Sequence, residues 1–304
     1  MAGSTPPKPS RVELRLLNAQ TEIMSRLWGE RFELSFNHSF LCSVNLPHRR
    51  PPDDVREVQR SSGDISMLLE AGQLPDPSGG FIKQGLPYGP RARLLLLHIC
   101  SEAVRTNSPE VEVKDSFTGF AKELGLSVNG RALKSLREQV NRMSVVKMAL
   151  TRRNGEQFLM FQDYVFHKLA GQFPKNPNQT QLWTSHIELN HDFYQSLKKH
   201  AIPLDKTAIA ALKHSSRSMD IYCWLASRLW RVHPARPVKL RWTTLRFQFG
   251  RPSQKMSSFK RAFIAALKQV LAVYPDADVE QVYGGILLKH SAPPVEMRNT
   301  KLLG

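Results

Sequence analysis

Between Arg251 and Lys268 the chain carries five Lys/Arg and no acid. Within that run Gln254, Ser257 and Arg261 recur at helical spacing, followed on the same side by Ala265 and Lys268. The chemistry open to such a face is recognition of nucleic acid. A guanidinium such as Arg261 can bond guanine O6 and N7, and a carboxamide such as Gln254 can bond adenine. Ser257 completes the candidate base readers, because base contacts cluster toward the N-terminal part of a reading helix. Arg251, Lys255, Lys260 and Lys268 suit phosphate contacts, which fix register without reading sequence. The free N–H groups at the helix start add an anion site. A surface helix with a solvated basic face would carry the same residues, so the surroundings must decide between the two.

Other chemistries find no residue set. There is no G-x-x-x-x-G-K-[ST] phosphate loop, no His-x-His pair beside a Tyr and no H-E-x-x-H. The three cysteines, Cys42, Cys100 and Cys223, are far apart and form neither C-x-x-C nor a zinc-spaced Cys/His cluster. His98 and His167 lie in apolar contexts that suit core or edge positions. Tyr222 falls on a buried helix face, and Asp276 and Asp278 lie in a Pro-containing turn. The expectation is a binding protein, not an enzyme, with no metal and no cofactor.

The elements that must hold the basic face can be read from apolar periodicity. Met256, Phe259, Phe263, Ala266, Leu267, Val270 and Tyr274 form one 3-4-3 stripe, which predicts a helix over 253–274. LRWTTLRFQFG ahead of it predicts a short helix closed by Gly250, so the pair reads as a helix-turn-helix. VKL at 238–240 precedes them as a strand, and VEQVYG and GILLKHS follow as strands around Gly284-Gly285. Ser218 to Val232 is a strong helix ending at His233-Pro234. Trp224, Trp230, Trp242, Phe249 and Phe263 fall on apolar stripes and are expected in the core, not as base-stacking platforms.

The same order occurs earlier, at an offset near 125. A helix runs from Gly89 to about Asn107, with Pro90 near its start. A short strand at 111–113, a helix from Ser116 to Leu124 stopped by Gly125, and a longer helix through NGRALKSLREQVNRMSVVK follow. Leu133, Leu136, Val140 and Met143 form the buried face of that longer helix. Arg131, Lys134, Asn141 and Arg142 lie opposite and are candidates for a second groove contact. VVKMALTRR and EQFLMFQDYVF then flank Asn154-Gly155, a strong hairpin turn. Arg152 and Arg153 sit at its tip, where they suit phosphate or minor-groove contact. An exposed hairpin with no partner is the competing reading.

Helix, strand, helix, longer basic helix, hairpin is the order of a winged helix. The fold expected is α+β and mainly helical, with two tandem winged-helix domains behind a small strand-containing N-terminal region. The boundaries expected are a disordered Pro-rich tail at 1–10, a covering region at 11–85, winged-helix domain 1 at 86–170, a linker at 171–180, winged-helix domain 2 at 181–295 and a tail at 296–304. Within the covering region, Arg11–Trp28 reads as a helix, Arg31–Pro47 as extended, HRRPPDDVREVQRSSGD as a loop, and ISMLLEAG and FIKQGLP as strands around LPDPSGG. In the second half LWTSHIEL reads as a strand, NHDFYQSLKKH as a helix and KTAIAALK as a helix capped by Asp205.

Charge agrees with a polyanionic partner. The chain has 304 residues, is 41% hydrophobic and carries a formal charge of +17. Residues 1–85 hold ten Lys/Arg against ten Asp/Glu, whereas 86–180 hold fourteen against eight and 181–304 nineteen against eight. Solvation alone gives no reason for that gradient; a nucleic-acid surface in the last two-thirds does. No run is long and apolar enough for a transmembrane helix, and MAGSTPPKPS lacks the apolar core of a signal peptide. The expectation is a cytoplasmic protein with no membrane contact.

GLPYGPRARLLLLHICSEAVRT, FAKELGL, LREQVNRM, SMDIYCWLASRL, LRFQFG, FKRAFIAALKQVLAVYPDADV and GGILLKHSAPPV together resemble the RepA-type plasmid replication initiator family. FNHSFLCSVNLPHR and SGDISMLLEAG resemble its N-terminal region, so the resemblance spans roughly residues 35–295. It implies binding of double-stranded DNA at repeated origin sites (iterons), opening of an adjacent AT-rich segment, and recruitment of a host initiator and of the replicative helicase or its loader. It also implies a possible homodimer and a part in plasmid copy control. A winged-helix transcriptional repressor, including one acting on its own promoter, would use the same two reading heads.

Overall fold

In a computed structural model, residues 9–26, 32–76, 78–113, 116–172, 183–251 and 254–295 are described. The chain opens with helix α1 (Arg11–Ser25). Ser10 caps it by accepting from Glu13 N–H, and the Glu13 carboxylate accepts from Ser10 N–H. Strand β1 (Leu34–His38) runs into a short helix α2 (Ser39–Ser43), within a stretch that reads as wholly extended in sequence. His38 explains the turn, because its Nδ1 accepts from the Phe40 N–H at 3.2 Å and caps α2.

Strands β2 (Glu57–Ser62), β3 (Ile65–Glu70), β4 (Gln73–Pro75) and β5 (Phe81–Lys83) complete the N-terminal region. The expected loop at 48–64 therefore contains a strand. EVQRSS is polar because β2 is an edge strand, and Gly63 turns it into β3 at φ 61.

Helix α3 (Gly89–Thr106) ends at Asn107 in the left-handed region, then β6 (Glu110–Glu112), α4 (Phe117–Glu123) and α5 (Gly130–Ser144) follow. Strands β7 (Lys147–Asn154) and β8 (Gln157–Tyr164) form the hairpin that Asn154-Gly155 predicts, and β9 (Phe166–Gln172) and β10 (Trp183–Leu189) form another. Then come α6 (His191–His200), β11 (Ala201–Asp205), α7 (Lys206–Leu212) and α8 (Ser216–Arg228), which runs on as a 3-10 turn at Leu229–Arg231. Asp205 caps α7 as expected, accepting from Thr207 and Ala208 N–H. Strand β12 (Val238–Arg241), α9 (Trp242–Phe249), α10 (Met256–Val273), β13 (Val279–Val282) and β14 (Gly285–Leu288) close the fold.

The fold is mixed α and β, with all described strand pairs antiparallel in small sheets. Two of these sheets correspond. Behind α3 lies a three-stranded sheet in the order β6-β10-β9, and behind α8 one in the order β12-β14-β13. In each, the last strand of the closing hairpin (β10 or β14) pairs with the strand that lies between the first two helices (β6 between α3 and α4, β12 between α8 and α9).

The β7–β8 hairpin stands outside this correspondence. It extends the N-terminal strands in a four-stranded sheet, β2-β3-β7-β8, and is an insertion between α5 and β9. The first two residues of the stretch read as a linker, 171–180, belong to β9, whose partner β10 begins at Trp183. The rest of that stretch lies outside the described residues, as do the two tails apart from Pro9 and Ser10.

Two hydrophobic cores form. One gathers α3, α4 and α5 with the β3 and β7 strands; the other gathers α7, α8, α9 and α10 with α1. The N-terminal region is thus no single cover: Leu16 and Ala19 of α1 belong to the second core, and Ile65, Met67 and Leu69 of β3 to the first. Cys42, Cys100 and Cys223 are free and buried, and burial pushes the Cys100 thiol up to about 12.

Candidate nucleic-acid interface

Helix α10 owes its position to one turn and one aromatic cluster. Gly250 closes α9 in extended backbone, and glycine is required there because a Cβ would lie 2.4 Å from the Arg246 carbonyl oxygen. The Arg246 guanidinium donates to the Gln254 carbonyl at 3.1 Å and ties the turn to α9. Phe259, Phe263, Ala266, Leu267 and Val270 are buried, as the stripe predicts, with Val273 beside them. Phe263 meets Phe249 and Phe259 at ring distances of 5.6 Å and Trp242 at 6.0 Å, and Trp224 meets Phe249 at 5.2 Å. Of the five aromatics expected in the core, Trp230 differs: it is 38% exposed, with the Arg231 guanidinium over its ring.

The outward side of α10 presents Ser257, Arg261, Ala265 and Lys268, all exposed. Among the described residues none of the three polar side chains forms an ion pair or a hydrogen bond within the chain. Arg251 and Lys255 are exposed at the helix entrance, and Lys255 is the N-cap residue. Lys260 is half-buried with its ammonium 5.7 Å from the centre of the Trp242 ring.

Gln254 is placed differently from its expected role. The helix begins at Met256, so Gln254 belongs to the turn, where its N–H bonds the Arg251 carbonyl at 3.0 Å. Its Oε1 is buried and has no donor among the described residues. An adenine reader must present both amide atoms outward, and Gln254 does not.

On α5 the candidates separate. Arg131 and Lys134 are exposed, and Asn141 is half-buried. Arg142 is 5% exposed, because the polar side of the helix is covered there by residues 85–88. Its guanidinium donates to the Leu86 carbonyl at 2.8 Å, pairs with Glu138 at 2.8 Å and lies over the Tyr88 ring. Arg142 is thereby removed from any phosphate surface. Arg137, not singled out from sequence, stands one turn beyond Lys134 with its guanidinium 4.6 Å from the centre of the Phe117 ring.

The two hairpin arginines also part company. Arg152 lies over the Phe40 ring at 4.7 Å and 3.8 Å from the Asp64 carboxylate, so it is docked onto the N-terminal strands. Arg153 is exposed. Both lie on β7, in the β2-β3-β7-β8 sheet and not in the β6-β10-β9 sheet.

The β13–β14 tip holds residues that sequence reading left unassigned. Tyr283 is 97% exposed at the turn, followed by Gly284 at φ 81. Arg241 is exposed and pairs in register with Gly285, and the Trp242 N–H bonds the Gly284 carbonyl at 3.1 Å. The backbone thus holds Arg241 at the tip beside α9. A Cβ on Gly285 would fall 1.8 Å from the Leu240 carbonyl oxygen, so this approach requires glycine. The signal in the sequence was the aromatic placed ahead of Gly-Gly at a hairpin turn.

Among the described residues no three His, Cys, Asp or Glu side chains converge as a metal site. Asp278 pairs with Lys289 at 3.4 Å, and Tyr222 is fully buried. The most polar buried cluster joins the halves: Arg93 of α3 and His48 both bond Asp220 of α8. Burial raises the Asp220 pKa, but Arg93 and the hydrogen bond from His48 outweigh it and hold the carboxyl below its usual range. Burial also depresses His48, against the pull of Asp220, so a neutral imidazole donating Nε2–H accounts for the 2.7 Å contact. No described helix is long and apolar enough to cross a membrane.

Comparison with known proteins places this arrangement. The fold is similar to that of domains 2 and 3 of RctB, seen in two crystal structures. A selenomethionine derivative matches with a TM-score of 0.52 at 12% identity, covering 85% of this chain and 99% of that one. A second RctB structure of the same domains gives 0.51 at 11% identity, covering 82% and 94%. No curated protein matches in sequence. The family of plasmid-encoded RepA proteins matches residues 86–244, from just before α3 to the third residue of α9. That match takes in just over half of the chain, and the protein belongs to the family of plasmid-encoded RepA proteins.

Proposed function

We propose that the protein initiates plasmid replication by binding repeated duplex sites at an origin through two winged-helix units. The first unit runs from α3 to β10, with α5 as its groove helix and β9–β10 as its wing; β7–β8 is an insertion that docks the N-terminal strands. The second runs from α8 to β14, with α10 as the groove helix and β13–β14 as the wing. The matching strand orders β6-β10-β9 and β12-β14-β13 support this reading, together with membership of the RepA family.

The observation that carries DNA binding is the outward side of α10. Ser257, Arg261 and Lys268 are exposed and unpaired among the described residues, beside a hairpin tip bearing Arg241 and Tyr283. A solvated face has no need to exclude acid over a run that holds five cations. The protein acts by binding and not by catalysis, in the cytoplasm, and its host partners are an initiator and the replicative helicase or its loader. A dimer acting on its own promoter belongs to the same reading.

Footprinting on the plasmid, paired with replication supplied in trans, tests the proposal. Protection of tandem repeats about two helical turns apart beside an AT-rich stretch is expected, with replication lost when the repeats are deleted. Protection of one inverted repeat over a promoter, with replication unaffected, would make the protein a repressor instead.

A further inference from the structure

A second basic feature lies away from the outward side of α10. A cleft of about 650 Å³ opens between the N-terminal strands and the second half of the chain. Arg152 enters it from β7, Arg228 from α8, Arg231 from the 3-10 turn and Arg236 from the loop before β12. Asp64 is the one carboxylate among its lining residues, and it stands 3.8 Å from Arg152.

Arg152 has Asp64 as its carboxylate, whereas Arg228, Arg231 and Arg236 form no ion pair among the described residues. Arg228 Nε is buried with no acceptor among the described residues. Arg236 is exposed and its side chain forms no described bond. Arg231 donates to the Ser227 backbone and hydroxyl, neutral groups that leave its charge uncompensated. Burial first, then the Arg152 charge, pull the Arg231 pKa down, with Arg228 acting the same way and Cys42 and Asp64 opposing. Arg231 and Arg236 are exposed to the cleft and Arg152 and Arg228 are half-buried in its wall, so the cations face solvent that a bound anion can replace.

We propose that the cleft is a binding site for a compact ligand carrying linked phosphate groups, an oligophosphate such as a nucleoside triphosphate presents. Four arginines from four separate segments line one concavity, which fits a compact polyanion; a duplex backbone is met by cations arrayed along a surface. The volume lies in the range of small-molecule sites. Arginine is the side chain suited to phosphate, because its planar fork bonds two oxygens at once. The ligand bridges β7 and α8, and so links the N-terminal strands to the second half.

Calorimetric titration of the full-length protein with inorganic triphosphate, and in parallel with ATP, tests this. One saturable site per chain is expected, weakened about tenfold by Arg228→Gln and about tenfold by Arg236→Gln, in line with one charge-assisted bond each. Lys199→Ala, an exposed cation on α6, should leave binding unchanged. Arg236 is exposed, so its variant keeps the fold even if Arg228→Gln disturbs it; circular dichroism checks both. Absence of saturable binding, or equal weakening by Lys199→Ala, overturns the proposal. It is also overturned if origin duplex, and not triphosphate, protects Arg228 and Arg236 from an arginine-selective dicarbonyl reagent, because the cleft would then be part of the DNA surface.

Discussion

Arg93 grips both carboxylate oxygens of Asp220, Nε to Oδ1 at 2.6 Å and Nη2 to Oδ2 at 2.7 Å, and so joins α3 to α8. These helices open the two corresponding halves of the fold. The remaining donors of Arg93 reach the Leu46, Pro47 and Gly89 carbonyls, which brings the N-terminal region into the same joint.

Breaking this pair from one side is expected to be costly. Arg93→Met leaves the Asp220 carboxylate buried beside His48, and about 3–5 kcal/mol of stability should go, read by urea unfolding. Replacing both partners with apolar residues, Arg93→Met with Asp220→Leu, should recover much of the loss. A double variant no more stable than the single one contradicts this account of the pair.

His38 predicts a loss of stability in acid. It is buried between the Phe40 and Phe193 rings, and its Nδ1 accepts the Phe40 N–H while Nε2 meets the Ser196 hydroxyl. Burial first, then His200 and Arg152, lower its pKa to about 3. The unfolded chain takes up this proton from about pH 6.5 downward, whereas the folded chain stays neutral until about pH 3. Its contribution is therefore full above pH 6.5 and is lost as pH falls, by about 1.4 kcal/mol per pH unit. His38→Asn keeps a capping acceptor without the titration. Its unfolding free energy should fall less steeply between pH 6 and pH 4; parallel slopes for variant and parent would show that His38 does not titrate this way.

Arg142 and Arg131 are two cations on one helix with different expected phenotypes. Arg142 holds the Leu86 carbonyl, so Arg142→Ala should lower stability by about 1–3 kcal/mol and leave the salt dependence of DNA binding unchanged. Arg131→Ala and Lys134→Ala should leave unfolding nearly unchanged and each reduce the slope of log K against log salt by about one. An altered salt slope in Arg142→Ala, with stability retained, would return that residue to the interface.

This contrast also shows what the sequence could convey. The α10 stripe was legible because one helix face and one core obey a single local period. Arg142 was not, because periodicity separates apolar from polar but does not show that residues 85–88 cover part of the polar side of α5. The position of the first hairpin was hidden for a related reason. Asn154-Gly155 marks a turn locally, whereas the choice of sheet is made by β3, which lies some eighty residues upstream of β7 and pairs with it. The second of the two β-type runs read from sequence ends at Phe166 and the linker stretch begins at residue 171, so β9 falls across that boundary. Gln254 lies in the turn before α10, because the helix starts at Met256 and not at 253, and a shift of two or three residues takes a side chain off the helix face.

Arg261 carries the sharpest test of the reading helix. It projects from the second turn of α10, opposite the buried Phe259 and Phe263, with no partner of its own among the described residues. Two roles are open to such a guanidinium, and they differ in what they leave behind. A base reader loses discrimination: Arg261→Ala should cost about 1–3 kcal/mol on the cognate repeat and relax preference at one base pair, with less effect on unrelated duplex. A phosphate contact loses affinity everywhere, as expected for Lys268→Ala, with a shallower salt slope and unchanged preference. Competition binding against a repeat randomised one position at a time separates the two, because only the reader's variant gains tolerance at a single position. Equal affinity of Arg261→Ala and the parent for the cognate repeat would remove α10 from the role of reading helix, and leave α5 and the hairpin tips to account for recognition.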